Sequence, residues 1–161
     1  MLKNTLSIMA FIASMGLAEA QEIAVGLGLT DPTFPALNGA AVSLDYRAKP
    51  FAERRVASFA FAASATLTEF GDAFVGAGLS TRWTWDSGWF LENQFTPGVT
   101  AHGTQENDLG STFTFRSHLA VGYSFKNDRV LSLAFSHTSN AGLGDTNPGV
   151  NMVFLRYHVG F

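Results

Sequence analysis

The stretch Val153-Phe154-Leu155-Arg156-Tyr157-His158-Val159-Gly160-Phe161 decides the fold. Val153, Leu155, Tyr157, Val159 and Phe161 fall on one face, and Arg156, His158 and Gly160 on the other. A period of two is the mark of a strand, because successive side chains point to opposite sides of the pleat. The same alternation recurs upstream, where Phe113, Phe115, Leu119, Val121, Tyr123 and Phe125 interleave with Thr112, Thr114, Arg116, His118, Gly122 and Ser124. Further runs of the same kind cover 23–30, 40–47, 56–67, 73–85, 89–101 and 130–139. Runs of about ten residues, apolar on one side and polar on the other, are the length a tilted strand needs to cross a bilayer.

Composition points the same way. Only 14% of the residues are charged, 15 are Phe and 16 are Gly, yet no segment after residue 20 resembles a membrane-spanning helix. Without a helix, a closed barrel is the other way to satisfy every backbone group in lipid. The expected fold is all-β, an eight-stranded antiparallel transmembrane β-barrel over residues 21–161. The first 20 residues are set apart: Lys3, an apolar run over 6–17 and Ala18-Glu19-Ala20 read as a signal peptide cut after Ala20. No cysteine is present, so disulfides and thiolate metal sites are excluded, and a net charge of −3 argues against a nucleic-acid partner.

The connections are of two kinds. Asp86-Ser87-Gly88 and Lys126-Asn127-Asp128 read as tight turns, whereas 31–38, 101–110 and 140–149 are longer and polar. Short inner turns and long outer loops are the pattern of bacterial barrels. Two connections depart from it, a short outer one at 68–72 and a long inner one at 48–54. The inward row carries Asp45, Arg47, Arg82, Glu92, Gln94, Arg116, His118 and Arg156, expected to fill a narrow lumen as a buried ionic network. His118 and His158 are read as members of that network, and His102 as exposed. Trp83, Trp85, Trp89 and Tyr157 suit the inner aromatic girdle, and Phe161 on an alternating strand resembles an outer-membrane assembly signal.

One place breaks the pattern chemically. Leu131, Leu133 and Phe135 form the lipid row of 130–139, and the same parity carries His137 and Ser139 onto it. Counting back from Phe161, the lipid row of the last strand reaches Asn151. Polar groups facing hydrocarbon are costly and point to function. The bland alternative is that the strand stops before His137 and leaves both groups in water at the rim. A His beside a Ser is the minimum for an activated hydroxyl, the imidazole taking the Oγ proton as the oxygen attacks a carbonyl. Asn140-Ala141-Gly142 follows as a turn able to present N–H donors to an oxyanion.

HTSNAG at 137–142 followed by NPGVN at 147–151 resembles the signature of the lipid A 3-O-deacylases, the PagL family. The resemblance extends to WFLEN at 89–93 and STFTFRSHLAVGYSF at 111–125. It implies an eight-stranded barrel of the bacterial outer membrane that hydrolyses the 3-position ester of lipid A without cofactor or metal. It also implies His137 as general base, Ser139 as nucleophile, and Asn140 with the backbone of Ala141 and Gly142 as the oxyanion set. The family's acidic member falls on Asn151, which carries no charge. Asn151 then orients His137, or Asp145 replaces the acid, or the enzyme is slow. Lipopolysaccharide and outer-membrane lipid are the expected partners; a homodimer does not follow from an apolar wall that every such barrel has. Two other readings stand beside this one: a structural or adhesive barrel without activity, and an acyltransferase barrel.

Overall fold

The computed structural model describes residues 20–31, 38–103, 108–126 and 129–160. Outside them lie residues 1–19 of the expected signal segment, much of the loops at 32–37 and 104–107, Asn127 and Asp128 of one turn, and Phe161. The strands are β1 (Ala20–Thr30), β2 (Gly39–Ala48), β3 (Ala52–Glu53), β4 (Ala57–Thr68), β5 (Ala73–Thr84), β6 (Trp89–Ala101), β7 (Phe113–Ser124), β8 (Val130–Ser139) and β9 (Val150–Gly160). Neighbours pair antiparallel in the order β2-β1-β9-β8-β7-β6-β5-β4, and a β2–β4 pairing closes the ring. The eight long strands are those expected.

The short β3 is the addition, and it accounts for the long inner connection. Below the point where β2 leaves β4 at the Arg47↔Ala62 pair, the edge of β4 would be bare. β3 covers it through Ala52↔Phe59 and Glu53↔Ser58. A connection of this length is therefore paired backbone, which meets the demand that peptide groups find partners.

The interior and exterior are exchanged relative to a soluble protein. Leu27, Phe61, Leu133 and Leu155 are exposed, at 68%, 63%, 60% and 61%, while Asp45, Glu92, Arg116 and Arg156 are buried. This is the apolar band and polar lumen of a membrane barrel. Inside, Asp45 lies 3.8 Å from Arg116 and 3.5 Å from Arg156. Glu92 bridges Arg82 and Arg156, and Glu22 bridges Arg82 and His158. His158 Nε2 also meets Ser132 Oγ at 2.7 Å. Glu22 belongs to the inner row although the alternation was read only from residue 23; extending its parity by one residue would have included it. Phe90 fills the lumen beneath Arg82, at 4.6 Å from ring centre to guanidinium. It fits because position 122 is glycine: a Cβ there would fall 2.1 Å from the Phe90 ring. At the end with the tight turns, Trp89 and Tyr123 pack edge to face at 5.2 Å, with Trp85 and Tyr157 exposed on the same outer wall.

Candidate active site

β8 holds its alternation to its last residue. Thr138 is buried on the lumen side, and His137 and Ser139 to either side of it are half-buried on the outer row. The strand does not end before His137. Cross-strand partners place Ser117 and Phe115 of β7 beside His137 and Ser139, and Asn151 of β9 beside His137 on the other flank. His137 Nδ1–H donates to Asn151 Oδ1 at 2.9 Å. An amide oxygen only accepts, so this bond puts the proton on Nδ1 and leaves the lone pair on Nε2, the tautomer a general base requires. The imidazole lies against Gly149, whose φ is +66°. A Cβ at that position would meet His137 Cε1 at 2.7 Å and Nε2 at 3.2 Å. Both the backbone conformation and the space call for glycine.

Ser139 borders an aromatic ledge. Phe115 stacks on Phe95 at 5.9 Å and meets Phe113 edge-on at 5.2 Å. Among the described residues no hydrogen bond joins Ser139 Oγ to His137. Such bonds are often long without substrate and tighten in the complex.

The turn after Ser139 corrects one expectation. Asn140 is fully buried, at 0% exposure, and its amide is committed to the loop. Nδ2–H donates to the carbonyls of Leu109 at 2.7 Å and Thr146 at 2.6 Å, and Oδ1 accepts from Gly142 N–H at 2.8 Å. Neither the Asn140 side chain nor the Gly142 N–H is therefore a spare oxyanion donor. Ala141, held at φ +53°, keeps an N–H with no partner among the described residues. The residue missed in the sequence is Asn147. Its Oδ1 accepts from Asn140 N–H at 3.1 Å, and its Nδ2 has no partner among the described residues. Asn147 opens the NPGVN stretch, but the sequence does not say which end of its amide is engaged; the Asn140 N–H that holds its oxygen leaves the nitrogen available.

Asp145 is exposed and makes no hydrogen bond or ion pair to His137 among the described contacts. A different carboxylate reaches the row, because Asn151 N–H donates to Asp31 Oδ1 at 3.1 Å. On the lumen side of this wall, Asp31, Thr138, Gly149 and Met152 help line a cavity of about 90 Å³. That is room for a few waters.

Comparison with known proteins covers most of the chain. A family model described as Lipid A 3-O-deacylase (PagL) matches residues 39–160. Lipid A deacylase PagL of Bordetella bronchiseptica is 39% identical over 49 residues, 30% of this chain and 28% of that protein; the match thus spans little more than a quarter of the relative's length. A crystal structure of the outer membrane enzyme PagL superposes with a TM-score of 0.66 at 19% identity, over 87% of this chain and 99% of that one. Neisserial surface protein A gives 0.53 at 12% identity, over 88% and 96%. At these identities the structural likenesses concern the fold.

Proposed function

The chain belongs to the lipid A 3-O-deacylase (PagL) family, whose model matches residues 39–160 of its 161, and from that premise we propose that it is an outer-membrane serine esterase releasing the 3-position acyl chain of lipid A. The observation that carries the chemistry is the His137–Asn151 hydrogen bond on the outer wall, with Ser139 on the same row. Nε2 takes the Oγ proton of Ser139 as the oxygen attacks the ester carbonyl. The charge that develops on the carbonyl oxygen is met by Ala141 N–H and the Nδ2 donors of Asn147. His137 returns the proton to the departing sugar oxygen, and water admitted through the same base cleaves the acyl-enzyme, giving a free fatty acid.

The siting suits the substrate. A lipid lies in the plane of the membrane and reaches the barrel from outside, where Phe115, Phe135 and Val153 flank the pair and continue the apolar belt. Residues 1–20 serve as the export signal for this location. The deciding experiment is the mass of lipid A after co-expression: loss of one hydroxyacyl chain with wild type, absent with Ser139→Ala. An unchanged mass with wild type would favour the non-enzymatic barrel, and a gain of an acyl chain the acyltransferase.

A further inference from the structure

Three adjacent strands bring a carboxylate into line with the site. The β1–β9 register runs to Thr30↔Met152, and the next facing pair is Asp31 and Asn151. Two such residues ordinarily exchange two backbone hydrogen bonds. Here Asp31 N–H donates to Asn151 O at 2.7 Å, but the return bond from Asn151 N–H goes to Asp31 Oδ1 at 3.1 Å. The φ of Asp31, +38°, turns its own carbonyl out of the ladder. Asp tolerates this left-handed conformation better than most residues, because its side chain bonds locally. The carboxylate is nearly buried, at 9% exposure, and holds the backbone of the residue whose amide oxygen holds His137.

The charged groups on neighbouring elements are otherwise engaged or remote in connection. Asp72 accepts from Thr68 and from Gly103 N–H. Arg116, level with Thr138 across the β7–β8 pair, faces the lumen and Asp45. Asp145 stands exposed on the outer loop. Resting on the esterase reading above, the geometry points to Asp31 as the anionic member of this site, a positioning residue that acts on His137 through Asn151. Asn151 sets the tautomer and the ring orientation. Asp31 supplies the negative charge that an amide lacks and that steadies the imidazolium as Ser139 attacks. At a lipid-covered rim such a charge is felt over a longer range than in bulk water.

The test is Asp31→Asn in the full-length protein in detergent micelles. The amide keeps an oxygen for Asn151 N–H, so a purely structural role is preserved while the charge is removed. Expected are a fall in kcat of about three- to tenfold and little change in KM, a split that a ladder cap would not give. In an Asn151→Glu background, where the charge sits directly on the ring, Asp31→Asn has no further effect on kcat. The His137 Nδ1–H resonance followed by NMR in Ser139→Ala protein needs no turnover and shifts when Asp31→Asn is added. An unmoved resonance, or an equal loss in the Asn151→Glu background, makes Asp31 a ladder cap alone and overturns the inference. Absence of deacylation by wild type with a displaced resonance would defeat the esterase reading and leave the Asp31–His137 coupling standing.

Discussion

The lumen of the barrel and the outer rim of β8 and β9 are both polar, and they are built on opposite terms. The lumen holds Glu22, Asp45, Glu92, Arg82, Arg116, Arg156 and His158, tied to one another in ion pairs. Every charge there answers another, and none faces a route by which a lipid could arrive. The rim holds one imidazole, one hydroxyl and one amide, half-buried and only partly bonded. A dense set of ionisable groups is thus the part that fills space, and a sparse one the part equipped to react. Reactivity needs an uncommitted lone pair that substrate can reach; the ring nitrogens of His118 in the lumen have no hydrogen-bond partner either, but that ring is buried, at 2% exposure.

Substitutions can break this contrast in a graded way. Ser139→Ala and His137→Ala should each lower kcat by about 10⁴-fold or more with the barrel intact, read as fatty acid released per folded molecule. Retained turnover in either would remove the rim from the chemistry. Next is Asn147→Ala: loss of an oxyanion donor should cost about 10²-fold in kcat. If only KM rises, its role is in binding the ester. Gly149→Val puts a branched side chain where even a Cβ would lie 2.7 Å from the His137 ring. A displaced base should cost about tenfold to 10²-fold, and normal activity would mean that the ring has another seat. Arg156→Met stands at the far end for activity. It removes the bonds to Asp45, Glu92 and Ser132, which should lower stability by about 3–5 kcal/mol in urea titrations. Turnover per folded molecule should stay within about twofold, and a larger loss would join the lumen to the catalytic apparatus.

The contrast was partly visible beforehand. Alternation located the eight long strands to within a few residues, and 130–139 coincides with β8. Parity carried along that strand put His137 and Ser139 outside, because a strand that stays paired cannot change the face its residues present. What parity could not say is where a side chain in a turn points. Asn140 sits next to Ser139 in sequence, yet its amide is claimed by the carbonyl of Leu109, 31 residues away. Asn147 is the residue left with donors to offer. Asp31 is separated from Asn151 by 120 positions, and nothing local distinguishes it from any other Asp after a strand.

The amino-acid sequence by itself determined the things that repeat. It set the strand period, the barrel that an apolar outer row and polar inner row require, the ionic filling of the lumen, and the outward-facing His-Ser pair at the end of one strand. These follow from residue order alone, since burying one face and wetting the other is decided every second residue. Only the tertiary structure decided the partners: which carbonyls claim Asn140, which amide is free, why position 149 must be glycine, and which carboxylate meets Asn151. Such pairings depend on the register of strands distant in the chain and on backbone angles in the loops, and a hydrogen bond exists only where both bring its two ends within about 3 Å.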